Sequence, residues 1–381
     1  MKKGLLITFM SLCVVGLLLF GYFTDNDKSD QKQVTTNGGE PYLEVSPMDD
    51  VCLVGGVVSE WTQWNQSAMN LYNAYREKGR TYSSKPVVIN WSVFNLDESR
   101  SVKEQTFELA TDKDFNQVVN YTVKPNDRRI SLNYLFVETK YYFRITATLD
   151  SGEVFSSHGE FKTDWSPRII ELGNLRNIRD IGGWSTTDGR RIRQGLVYRG
   201  CELDGATEPK YEISQPVADV MINTLGIKLD FDLRSSNLDG VKDALGDSVK
   251  HLNFSFLAYA DCLTEHGKNE LKEAFEVLAD KENYPLYIHC TYGADRTGTI
   301  CYFLEGLLGM SEEDCYREWE LSTLQNGGGF FEEMEAFRAT VNSWQGDTFQ
   351  KKIEGFLLSI GVTEQEISNI KQLLLVDAPT E

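Results

Sequence analysis

The sequence predicts an α/β domain with a central, mostly parallel sheet flanked by helices, preceded by an all-β sandwich and an N-terminal membrane-spanning or signal helix. Three observations carry this. Gly4 to Phe23 is uncharged and mostly apolar, runs of β-branched and aromatic residues recur between about 41 and 164, and strand and helix patterns alternate after Asp164-Trp165-Ser166-Pro167. The expected boundaries are 1–23 for the apolar helix, 24–40 for a flexible linker, 41–164 for the sandwich and 165–381 for the α/β domain.

Lys2-Lys3 precede the apolar run, and Asp25 and Asp27 open a polar stretch after it. Twenty helical residues reach about 30 Å, enough to cross a bilayer core. The positive flank stays cytoplasmic, which sends the rest of the chain outside. A signal anchor and a cleaved signal peptide both fit; the length of the run and the lack of a small-x-small site favour the anchor. The expected location is the cell membrane with an extracytoplasmic catalytic domain, or secretion. Thr24 to Gly39 is polar and reads as a tether. The net charge of −19 argues against nucleic acid as a partner and against docking on anionic lipid through surface charge. Membrane contact is therefore expected through the N-terminal helix alone. Seven cysteines in 381 residues are too few for a disulfide scaffold.

In the β-rich part, Pro86–Val93, Gln105–Thr111, Gln117–Val123 and Tyr141–Thr148 read as strands separated by turn residues, with Trp91 a core candidate. Thr139 to Arg144, followed by Ser151-Gly152 and Phe161-Lys162-Thr163, resembles the last hairpin of a fibronectin type III or related immunoglobulin-like module. That resemblance implies spacing or adhesion, with a surface carbohydrate or protein as possible partner. Tyr42 to Tyr82 fits the module poorly, and Asn70–Arg76 within it is a candidate helix.

In the α/β part, Leu229–Leu233 reads as a central strand. Leu271, Phe275 and Leu278 form a core stripe on a helix, with Ala274 and Val277 beside it. Thr363 and Glu366 have capping-box spacing before the last helix. Tyr287-Ile288 closes a buried strand and Thr299–Leu308 reads as a helix. Between them lies His289-Cys290-Thr291-Tyr292-Gly293-Ala294-Asp295-Arg296-Thr297-Gly298.

Strand, tight loop and helix bring successive backbone N–H groups onto one anion. Helix-terminal amides and a nearby arginine lower a thiol's pKa, so Cys290 is expected to be a thiolate nucleophile. Arg296 can hold two phosphoryl oxygens with its planar fork. Gly293 permits the turn, and Thr297 can donate to the sulfur as it leaves. Thr291, Tyr292, Gly293, Ala294, Asp295 and Arg296 form the expected substrate-binding loop, with Cys290 and Arg296 catalytic. His289, on the opposite face of the strand from Cys290, is expected to bond the loop backbone. This chemistry needs no metal or cofactor.

The stretch resembles the signature of cysteine-dependent tyrosine phosphatases, and Asp directly before Arg resembles the bacterial tyrosine/serine and dual-specificity branch. Asn174–Trp184 with Asp188-Gly189-Arg190 and Leu196–Arg199, then Leu225-Gly226-Ile227 with Asp232–Ser235, and Ile360–Ile367 resemble that branch's other blocks, over about residues 168 to 376. The resemblance implies phosphomonoester hydrolysis through a phosphocysteine, on a phosphorylated protein or small phosphomonoester. It also places an acid within the loop, at Asp295; Asp261 is the alternative, on a movable loop. The branch usually carries Lys where this chain has Ala294, which weakens the phosphoinositide alternative. Inositol phosphates and a phosphate-binding pseudophosphatase or adhesion module are the other readings. A zinc set of Cys262, His266, His289 and Cys290 has ligand-like spacing but leaves Gly293, Arg296 and Thr297 without a role. Cys301 is expected in the core, and Cys201 and Cys315 are expected half-buried.

Overall fold

The computed structural model describes residues 39–63, 67–75, 83–235, 241–326 and 330–378. The expected N-terminal apolar helix lies outside them. No helix among the described residues is long and apolar enough to cross a membrane. The chain divides into two compact units. Of the described residues, one comprises those up to Met48, Ile89–Ile130 and Lys140–Phe161; the other comprises those within Asp49–Val88, Ser131–Thr139 and from Lys162 onward.

The first unit is built on strands. Tyr42–Val45, Val87–Phe94 and Arg129–Leu132 form one sheet; Val118–Val123, Val102–Ala110, Lys140–Leu149 and Val154–Lys162, in that order, form another. Alternation drives the longest strand: Tyr141, Phe143, Ile145, Ala147 and Leu149 are buried while their neighbours are less so. Trp91 is buried, and its indole N–H donates to Gln105 Oε1 at 3.0 Å.

The second unit holds a six-stranded sheet in the order Arg168–Ile169, Arg179–Asp180, Val197–Gly200, Leu286–His289, Leu229–Asp232, Lys250–Asn253. The first three pair antiparallel and the last four parallel. Val197–Gly200, Leu229–Asp232 and Leu286–His289 are buried at every residue, as strands covered on both faces must be. Helix Glu265–Leu278 buries Leu271, Ala274, Phe275 and Leu278. The Thr363–Glu366 capping box starts helix Glu364–Leu374. Cys301 is in the core; Cys201 and Cys315 are fully buried rather than half-buried.

Two stretches that the sequence assigned to the β-rich module, Asp49–Val88 and Ser131–Thr139, fall in the second unit. Helices Gly56–Trp61 and Ala68–Tyr75 bury Val57, Val58, Trp61, Ala68 and Leu71 in the large core of this unit. Trp61 Nε1 donates to Glu320 Oε1 at 2.9 Å, Ala68 N donates to Glu320 Oε2 at 3.2 Å, and Arg317 Nη2 donates to Trp61 O at 2.7 Å. The Arg317 guanidinium lies over the Trp61 ring, 4.1 Å from its centroid. Short segmental patterns hid this: a six-residue helix without a cap carries little periodicity. Trp61→Ala should cost the second unit about 3–5 kcal/mol, read as a lower urea midpoint in that unit's transition. A change under about 0.5 kcal/mol would show that the segment rests loosely on the surface.

Candidate active site

In register, Gly200, His289, Asp232 and Asn253 stand side by side at the carboxyl ends of four parallel strands. Cys290 therefore leaves the sheet at the edge where open α/β folds bind ligands. The chain turns at Gly293, φ +67°, and enters helix Asp295–Leu308. A Cβ at Gly293 would stand 2.2 Å from the Gly200 carbonyl oxygen, so any side chain there forces the loop off the strand. Ala294 occupies the N-cap and supplies no side-chain cap, so the cap position itself does not compete with an anion for the first-turn amides.

The loop's carbonyls are held from outside. Asn177 Nδ2 donates to Tyr292 O at 3.1 Å and to Gly293 O at 3.0 Å; Arg199 Nη2 donates to Gly293 O at 2.8 Å. In a trans peptide the N–H points opposite to the C=O, so anchoring these oxygens turns the N–H groups the other way. The anchors are themselves fixed. Arg179 and Arg199 both pair with Glu318, and Arg179 Nη1 donates to Asn177 Oδ1 at 2.6 Å. All four side chains are buried. A second buried arginine cage lies below, where Arg234 binds Glu202, Asp204 and Asp232.

Cys290 is buried. Burial opposes its ionisation, but the charge of Arg296 and the hydroxyl and N–H of Thr297 outweigh it and hold the thiol below its ordinary pKa. The Thr297 hydroxyl is buried and has no nitrogen or oxygen partner. Arg296 makes two long contacts, Nη1 to Leu233 O at 3.4 Å and Nη2 to Thr291 Oγ1 at 3.3 Å. Unlike Arg179, Arg199 and Arg234, it has no carboxylate partner among the described residues. His289 sits under the loop with Nε2 2.8 Å from Asp230 Oδ1 and Nδ1 3.3 Å from Cys290 O. Burial opposes its protonation, yet Asp230 and Asp232 push its pKa up to about 9, so the imidazolium can donate to the loop carbonyl.

Both acid candidates line the same pocket of about 860 Å³. Asp295 is half-buried, and burial raises its pKa above the ordinary carboxylate value despite a hydrogen bond from Tyr259 and the neighbouring arginines. Asp261 is exposed, on the single turn Tyr259–Leu263. Phe256, Leu257, Tyr259 and Phe330 supply apolar wall, and Tyr292, 40% exposed, bonds Glu208 through its hydroxyl. Of the zinc candidates, His289 is committed to Asp230, and His266 is exposed with Glu270 3.9 Å away. No group of three or more His, Cys, Asp and Glu among the described residues is placed to hold a metal ion.

Asn177, Arg179 and Glu318 escape a sequence reading. In the sequence Asn177, Arg179 and Arg199 show only their place in blocks that resemble the phosphatase branch, and Glu318 lies in a charged stretch with no sign of its role.

The tyrosine phosphatase family matches residues 170–376. A tyrosine-protein phosphatase of Nostoc commune is 25% identical over 198 residues, covering 39% of this chain and 66% of that protein. Among solved structures, the core catalytic domain of the PP-IP phosphatase SIW14 from S. cerevisiae, in complex with citrate, is 16% identical with a TM-score of 0.28, over 44% of this chain and 88% of that one. The chain spans less than two thirds of the length of the curated relatives it matches.

Proposed function

The chain belongs to the tyrosine phosphatase family, and from that premise we propose that it hydrolyses phosphate monoesters through a phosphocysteine, with protein phosphotyrosine as the preferred substrate. One observation carries the reading: an arginine with no carboxylate partner among the described residues faces a thiol whose pKa its own charge lowers. A phosphate dianion would satisfy that arginine and the loop amides of Thr291 to Arg296 together. Cys290 Sγ attacks phosphorus and the phosphorus–oxygen ester bond breaks. Its electron pair leaves on the phenolic oxygen, which takes a proton from Asp295. Water, deprotonated by Asp295, then attacks phosphorus and the phosphorus–sulfur bond breaks, with Thr297 assisting the departing thiolate. His289 steadies the loop backbone.

The pocket supports an aryl ester. Its wall is largely apolar, and Arg296 is the one lysine or arginine among the described residues that line it. An inositol polyphosphate would call for several cations there. A panel of phosphotyrosine peptides, phosphoserine peptides and inositol phosphates, assayed with EDTA present, tests this; the highest kcat/KM is expected for phosphotyrosine. Inositol phosphates leading the panel would overturn the substrate class, and binding without turnover would favour a pseudophosphatase. Arg296→Lys should lower kcat/KM by about 10²–10³, since a point charge cannot span two oxygens.

In this reading the apolar stretch within residues 1–23 places the catalytic unit outside the cytoplasm, as an anchor or a cleaved signal. The β-rich unit serves as a fibronectin type III-like spacer or adhesion module. Protease accessibility of the catalytic unit on intact cells tests the first point.

A further inference from the structure

Tyr259 opens the single turn Tyr259–Leu263 with φ +50°, a left-handed backbone that is uncommon for an aromatic residue and marks stored strain. The surroundings hold it there. Its N–H donates to Thr299 Oγ1 at 3.0 Å, and that hydroxyl donates to the Asp295 carbonyl at 2.9 Å. Its ring packs edge-on against Trp319 and Phe337, at 6.4 and 6.3 Å between centroids.

The hydroxyl has a defined polarity. Trp319 Nε1 donates to it at 3.2 Å, and it lies 2.6 Å from Asp295 Oδ1. An indole N–H can only donate, so the tyrosine oxygen accepts from Trp319 and spends its one proton on Asp295. Oδ1 is thereby held as an acceptor, and a proton on the neutral carboxyl must sit on Oδ2.

We propose that Tyr259 is a positioning residue for the proton donor: the chain Trp319 to Tyr259 to Asp295 fixes which carboxyl oxygen carries the transferable proton and keeps it turned to the leaving group. This rests on the reading of Asp295 as the acid. The other groups facing Asp295 are Arg296 on its own helix, Arg199 on strand Val197–Gly200, the Cys290 thiolate and the Phe330 backbone N–H ahead of helix Phe331–Asn342. The tyrosine bond favours the ionised carboxylate, so its loss favours the acid form.

The test is Tyr259→Phe, with kcat measured against pH and against leaving-group acidity in a series of aryl phosphates. The expected result is about a tenfold loss for poor leaving groups, little loss for good ones, and an alkaline limb moved up by about 0.5–1 pH unit. Equal slowing across the series, or an unmoved limb, overturns the proposal. If circular dichroism shows Tyr259→Phe unfolded, Trp319→Phe is read by the same two measures; it should move both in the same direction by less, and no movement overturns the proposal. Asp295→Asn separates the two readings. Leaving-group sensitivity changed by Asp295→Asn but not by Tyr259→Phe removes the tyrosine's role alone; sensitivity unchanged by Asp295→Asn removes the acid and with it the tyrosine.

Discussion

Cys290→Ser should abolish turnover, by about 10⁴-fold or more, and leave phosphopeptide binding in place. The pocket lowers the thiol's pKa only because Arg296 and Thr297 outweigh the cost of burial. A serine hydroxyl starts from a far higher pKa, so the same surroundings leave it neutral and a poor nucleophile toward a dianion. The anchors of the loop, Asn177 and Arg199, act on carbonyls that this substitution does not touch. Single-turnover kinetics and equilibrium binding on the same variant would check both halves. Turnover within tenfold of the unsubstituted protein would remove the covalent mechanism.

The second large effect concerns two buried carboxyls whose protonation states differ. Glu318 is buried; despite that burial, Arg179 and Arg199 hold its pKa below the ordinary value, so it is charged. Glu305 is buried too; burial, then the adjacent Glu318 charge, push its pKa well up and favour the neutral form. A protonated Glu305 can donate to the Glu318 carboxylate beside it. Glu318→Gln leaves two buried guanidiniums short of a counter-charge and should destabilise the second unit by about 3–5 kcal/mol. It should also loosen the phosphate loop that Arg199 anchors. Glu305→Gln keeps a neutral group of the same shape and should cost under about 1 kcal/mol or stabilise.

The pH dependences oppose each other. A depressed carboxyl contributes stability above its unfolded pKa, and that contribution is lost as pH falls through the lowered folded value. A raised carboxyl destabilises once pH exceeds its unfolded pKa, because the unfolded chain ionises while the folded one cannot. Glu318→Gln should therefore flatten the loss of stability toward acid, whereas Glu305→Gln should remove a decline from about pH 4 upward. Urea denaturation of both variants from pH 2 to 8 measures this, the acid half for Glu318 and the half above pH 4 for Glu305. Equal destabilisation by the two substitutions would show that both groups are ionised.

Much of the catalytic unit was legible because its chemistry is local. The residues from His289 to Gly298 are contiguous, and one short loop needs a thiol, a glycine and an arginine at fixed spacing to hold an anion. Periodicity gave Leu271, Phe275 and Leu278 their buried face, and a three-residue offset gave Thr363 and Glu366 their cap. These are short-range patterns, and a sequence displays them directly.

What the sequence alone determined is the placing of Cys290, the candidate nucleophile, and Arg296 in one loop, and the order of strand, loop and helix around them. Only the tertiary structure decided which way the loop's amides face, because that depends on Asn177, Arg179, Arg199 and Glu318 meeting from positions up to 141 residues apart (177 to 318). It likewise decided that Trp61 belongs to the core behind helix Glu312–Glu320, and that a strained tyrosine touches Asp295. Local pattern fixes an element and its exposed face. The protonation state of a buried charge depends on which distant partner reaches it, and packing alone makes that choice.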